Sequence, residues 1–134
     1  MKQVSILNSL ALLSAALMLS LASTSSGAQG ITRTIIEKAD VSVENREAIV
    51  ARVELAPGVT AARHTHPGDE ISYVLEGEGQ LLVDGEAPRN LKAGDAFVVA
   101  AGKVHGAKNT GSGTLRLLGV YVVEKNQALA TPAK

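Results

Sequence analysis

Four residues of this 134-residue chain are spaced as ligands for a single metal ion. His64 and His66 are separated only by Thr65, and alternate side chains on a strand share a face, so both imidazoles point the same way. Glu70 follows across Pro67-Gly68-Asp69. Pro-Gly is a turn signal, so the chain can loop there and return the carboxylate beside the imidazoles. His105 arrives from a later strand and completes the protein's three histidines. Three nitrogens and one oxygen suit one divalent transition ion, whether Zn, Cu, Fe, Mn, Ni or Co. Taken singly, each residue has a plainer reading: a lone histidine is a surface or satisfied core residue, and Glu70 a solvated charge. The combination is what points to a metal.

The spacing extends into a glycine frame. His64, His66 and Glu70 lie within G-x5-H-x-H-x3-E-x6-G, bounded by Gly58 and Gly77. His105 lies within G-x5-P-x-G-x2-H-x3-N, with Gly94, Gly102 and Asn109 in place and Ala100 where the proline would stand. These motifs resemble those of the cupin superfamily, and the short stretch between them, Glu78 to Ala93, resembles its small single-domain bacterial members. Nine of the ten defined positions match, within a region from Glu47 to Val123. The resemblance implies an all-β fold, a double-stranded β-helix (cupin or jelly-roll) barrel, with the ion inside one mouth and one or two positions open on it. The missing proline shapes a turn and is not a ligand, so its loss bears on local rigidity. Each glycine falls where the chain turns between strands, and glycine adopts positive φ without penalty. Asn109 shares strand parity with His105; it reads as a tie between strands, with a hydrogen bond toward the site as the alternative.

The elements that must position these residues are short and β-rich. Ile31 to Ile36, Ala48 to Leu55, Glu70 to Glu76, Gln80 to Val83, Ala96 to Ala100 and Thr114 to Val123 read as strands, separated by Pro57-Gly58, Gly77-Glu78-Gly79, Asp84-Gly85 and Gly102. Asp84-Gly85 is a two-residue hairpin signal. No segment after the N-terminus has a 3.6-residue apolar period, and strands at this spacing indicate an all-β sandwich or barrel. One barrel domain is expected over 29–124, with the motifs at 58–109 and a flexible tail over 125–134. By parity with Glu70, Ser72 and Val74 should line the metal side of their strand.

The first 28 residues read as a cleaved export signal. Lys2 is followed by the apolar run Ile6 to Ala22 and a small-residue exit, with cleavage fitting after Ala22 or Ala28. An uncleaved membrane anchor is the alternative. The expected location is periplasmic or secreted. Removing 1–28 takes one basic residue and leaves a net charge of −1. No basic block is present, which argues against a nucleic-acid partner. The chain has no cysteine, which excludes disulfides, thiolate ligands and a cysteine nucleophile. Its aromatics are Tyr73, Phe97 and Tyr121, too few for stacking platforms.

With every histidine spent on the ion, no free imidazole remains as a general base. Tyr73 and Tyr121 read as packing residues. Arg63 and Arg116 are the nearest candidates for gripping an anionic substrate, although a solvated surface role is the plainer reading of both. The chemistry therefore rests on the metal, and an oxidoreductase of dioxygenase type acting on a small organic substrate fits first. A redox-neutral metal-dependent lyase, isomerase or decarboxylase, and a non-catalytic ligand- or metal-binding module, remain as alternatives. A homodimer through the Ile31–Ile36 edge is expected, since unpaired strand edges invite a second chain.

Overall fold

Alternation of buried and exposed residues organises the structure, a computed structural model that describes residues 29–134. The expected export signal at 1–28 lies outside the described residues. The strands are β1 (Ile31–Asp40), β2 (Arg46–Leu55), β3 (His64–Thr65), β4 (Gly68–Glu76), β5 (Glu78–Val83), β6 (Arg89–Lys92), β7 (Ala96–Val99), β8 (His105–Asn109), β9 (Leu115–Glu124) and β10 (Thr131–Pro132), with no helix among the described residues. They form two five-stranded sheets, β1-β2-β9-β4-β7 and β10-β3-β8-β5-β6.

Two apolar clusters fill the space between the sheets. The larger contains Val53, Leu55, Val74, Leu81, Leu91, Phe97, Val99, Leu115 and Leu117. The smaller contains Ile49, Ala51, Tyr121 and Val123, with Leu129 packed against it. In β9 every second residue from Leu115 to Val123 is buried, the signature of a sheet with one covered face. Ser72 and Val74 do share the buried face of β4 with Glu70, while Ile71, Tyr73 and Leu75 face outward. Tyr73 is therefore not a core packing residue: it lies on the outer side of β4 and is 46% exposed.

Three local expectations need correction. Gly68 does not form a loop; it already belongs to β4, opposite Val123. A Cβ there would collide with the Val122 carbonyl oxygen, so this glycine permits the close approach of β4 to β9. Asp84-Gly85 does turn the chain, with the Glu86 N–H donating to the Val83 carbonyl, but the β5–β6 connection is wider than two residues, because pairing ends at Leu81↔Arg89. Pro88, just before β6, has no N–H to extend the ladder. Finally, the tail is not a frayed end. Thr131 and Pro132 pair with Thr65 and His64, and the Ala133 N–H donates to the Arg63 carbonyl. Its composition carries no burial pattern because backbone hydrogen bonds hold it.

The motif glycines Gly58, Gly77, Gly94 and Gly102 all have positive φ, between 74° and 94°. Asn109 is fully buried, and its side chain donates to the Leu55 and Gly113 carbonyls and accepts from the Gly111 N–H. It is a strand tie. Replacing Asn109 with Ala would orphan buried backbone groups, and we expect a stability loss of about 3 kcal/mol by chemical denaturation. A change below about 0.5 kcal/mol would show that these bonds are readily replaced.

Candidate metal centre

The four expected ligands meet between the sheets. β3 and β8 place His64 directly opposite His105. His66 follows β3, and β4 brings Glu70 in from the other sheet, beside Tyr121 of β9. One donor atom from each of His64, His66, Glu70 and His105 lies within 4.8 Å of the others. His66, Glu70 and His105 are buried, and His64 is partly exposed at the mouth.

The outer nitrogens of the rings determine where the inner ones point. His64 Nδ1 bonds the Ala62 carbonyl at 2.8 Å, His105 Nδ1 the Lys103 carbonyl at 2.9 Å, and His66 Nδ1 the Leu129 carbonyl. A carbonyl only accepts, so each Nδ1 carries a proton and each Nε2 points inward, where it offers a lone pair in the neutral ring and can donate in the protonated one. The Nε2 atoms of His64 and His66 are 3.2 Å apart. Glu70 Oε2 lies 3.0 Å from His105 Nε2 and 3.1 Å from His66 Nε2. Ser72 donates to Glu70 Oε1 at 2.6 Å and fixes the carboxylate plane.

The electrostatics follow from burial and these contacts. Burial alone would raise the Glu70 pKa, but hydrogen bonds from His105, His66 and Ser72 outweigh it and hold the carboxyl far below its usual range. Burial would lower His105, yet the Glu70 bond and the Lys103 carbonyl outweigh it, and its pKa is raised. Burial lowers His64. The cluster thus keeps one ionised carboxylate and demands positive charge beside it. A divalent ion fits that donor set, with imidazole and carboxylate ligands and their second nitrogens already committed.

The site opens into a narrow cavity. Ile31, Val53, Leu55, Leu81, Phe97 and Leu117 make most of its wall. Tyr121, expected as packing, also lines it and meets the His66 ring edge-on at 4.8 Å between centroids. Burial, reinforced by Glu70, pushes the Tyr121 hydroxyl up to about 12, so it is a proton-bearing donor at neutral pH. Gly119 makes room for it: a Cβ there would lie 2.7 Å from the Tyr121 hydroxyl.

Neither expected anion-gripping arginine reaches the cavity. Arg63 is turned outward to Asp84 and the Lys134 carbonyl, and Arg116 pairs with Glu54 and Glu76. The cavity's arginine is Arg33, which the sequence reading passed over. Its signal was available in the alternation of Ile31, Arg33 and Ile35 against Thr32 and Thr34.

Residues 51–121 match the family model described as Cupin_2: Cupin domain. The chain belongs to the cupin family. It is 36% identical over 84 residues to an oxalate-binding protein of Thermotoga maritima, covering 61% of this chain and 68% of the relative. Its fold matches that of an uncharacterised conserved protein with a double-stranded β-helix domain from Klebsiella pneumoniae, with a TM-score of 0.65 and 28% identity over 81% of this chain and 89% of that one. An oxalate oxidase solved in complex with glycolate gives a TM-score of 0.61 at 26% identity, covering 77% of this chain and 55% of that one. The chain thus spans little more than half of that oxidase.

The Leu129 carbonyl orients His66 from outside the barrel strands, so truncation after Lys125 should weaken zinc binding by roughly 10- to 100-fold while the β-sheet circular dichroism persists. Competition titration against a chromophoric chelator measures it. Unchanged affinity would assign the orientation of His66 to its other neighbours.

Proposed function

We propose that this cupin holds one divalent transition-metal ion through Nε2 of His64, His66 and His105 and a Glu70 oxygen, and uses it to oxidise a small organic acid with dioxygen. One observation carries the metal assignment: three rings whose Nδ1 atoms are committed to carbonyls aim three Nε2 atoms and one carboxylate at a common point. Without a metal ion, protons on the rings must supply the positive charge that Glu70 faces. A bound ion supplies Lewis acidity toward a substrate oxygen and, if it is a redox-active one such as copper, iron or manganese rather than zinc, access to dioxygen.

The chain's own residues bind, orient and exclude water. Ser72 and the three backbone carbonyls hold the donors, and the aliphatic wall excludes water from the reacting end. The dioxygenase reading is supported by what the wall lacks. Among the described residues, the titratable side chains that line it beyond the proposed ligands are Arg33 and Tyr121. No spare imidazole or carboxylate is present there to run acid–base chemistry, so the ion bears it. Similarity to an oxalate-binding protein and to an oxalate oxidase holding glycolate supports a small carboxylic acid as substrate class.

Tyr121 supports the second reading. A buried hydroxyl beside the ligands can hold or deliver one proton, which suits a redox-neutral lyase, isomerase or decarboxylase. Export belongs to the proposal on the strength of Lys2 and the Ile6–Ala22 run. An ion collected outside the cytoplasm is selected by raw affinity, which favours copper and zinc. The partner proposed is a second copy, supported by the edge strand β1, whose Ile35 and Ile36 are 49% and 55% exposed.

Elemental analysis of the natively exported protein should find one ion per chain, and His66→Ala should remove it. Oxygen uptake with small 2-oxo and 2-hydroxy acids then tests the oxidation. Turnover persisting without oxygen selects the redox-neutral reading, and ligand binding without any turnover selects a binding module. Light scattering should give a dimer that Ile35→Lys shifts toward monomer; a wild-type monomer at micromolar concentration sinks the second-copy proposal.

A further inference from the structure

One charged side chain at the cavity is not used by the metal centre. Arg33 lies on β1 opposite Val53, whose side chain is buried, and therefore on the face of the strand that looks between the sheets. It lines the same cavity as His64, Glu70, His105 and Tyr121. Its guanidinium carbon stands 5.9 Å from the centre of the Tyr121 ring, within cation–π range.

Arg33 has no carboxylate partner among the described residues. Arg46 pairs with Glu124, Arg63 with Asp84, and Arg116 with Glu54 and Glu76. Arg89 donates to the Ala96 carbonyl, and Arg52 is exposed opposite Leu118, away from the cavity. The nearby Glu70 does not serve, since its own hydrogen bonds come from His105, His66 and Ser72. A guanidinium facing a cation-binding cluster across an apolar cavity is a like-charge arrangement. It becomes favourable when an anion lies between the two positive centres.

We propose that Arg33 is the specificity-determining residue of this pocket, gripping the carboxylate of a small organic anion whose other oxygen reaches the metal centre. This rests on the metal reading above for the second contact only. The planar fork of the guanidinium offers paired donors matched to a carboxylate. Ile31, Leu81 and Phe97 face the organic remainder of the ligand. An uncharged analogue of equal shape would leave Arg33 unpaired beside the ion and is rejected. Because the Arg33 side of the mouth is open to solvent, the discrimination is modest in scale.

The test uses pyruvate and its uncharged isostere pyruvamide, titrated by two-dimensional amide NMR into the full exported chain, metal-free and zinc-loaded. Zinc stoichiometry is measured separately for each variant. Pyruvate should bind wild type at least about tenfold more tightly than pyruvamide. Arg33→Gln should remove that preference without changing zinc affinity by a large factor, and Arg33→Lys should restore part of it. Absence of zinc binding in wild type sinks the metal reading alone, provided the Arg33-dependent preference persists in metal-free protein. Equal pyruvate affinity in wild type and Arg33→Gln, in both forms, overturns the anion subsite. So does an Arg33→Gln loss that falls equally on pyruvamide, which would make Arg33 a packing partner of Tyr121.

Discussion

A carboxylate buried between two sheets is the constraint on which this structure turns. Glu70 is 5% exposed and stays ionised, which costs several kcal/mol unless positive charge stands beside it. It comes from the β4 sheet, while the imidazoles that face it come from the β3–β8 side. Neither sheet alone satisfies its own polar groups. Alone, the carboxylate has no positive partner, and the inward Nε2 atoms have no acceptor or cation to meet. Bringing the sheets together without a positive centre would leave both penalties in place, so the spacing of the barrel and the charge of its contents are one problem.

The rest of the fold serves that convergence at two ranges. His64 and His105 are each oriented by a carbonyl two residues earlier in the chain, so local conformation fixes their rings. His66 is oriented by a carbonyl 63 residues away. Beneath the site the larger apolar cluster holds the sheets apart, and beside it Tyr121 and Leu129 close the smaller one. The positive-φ glycines let the chain reverse between sheets without strain, which keeps the ligand-bearing strands short and in register.

Much of this was legible in the sequence, because it depends on parity and spacing. The pairing of His64 with His66, the inward face shared by Glu70, Ser72 and Val74, and the strand-rich architecture all follow from a two-residue period. The unread features depend on register and long-range closure. β10 is too short for a pattern, and its partner in β3 is remote in sequence. Arg63, the arginine nearest the ligands in sequence, points away, while Arg33 reaches the cavity because β1 pairs with β2 in a register that faces it inward. Sequence proximity to a ligand was the wrong guide, and face-sharing with Ile31 was the right one. Tyr121 looked like packing because it does pack; its place in the cavity wall against His66 emerges only from the pairing of β9 with β4.

The tail gives the site a thermodynamic consequence. Leu129 offers its carbonyl to His66 and its side chain to the cluster that contains Tyr121. Docking of 125–134 and the orientation of one ligand are thus a single event. If docking strengthens binding of a cation at the cluster, linkage requires the cation to strengthen docking by the same factor. The segment without a readable pattern is then stabilised by the occupant of the site, and its β10 hydrogen bonds should be the part of the barrel most sensitive to that occupancy. Local stability differs along a chain, and two residues of edge pairing belong to its low end. A donor cluster readable from sequence therefore depends for one of its members on the segment that sequence describes least.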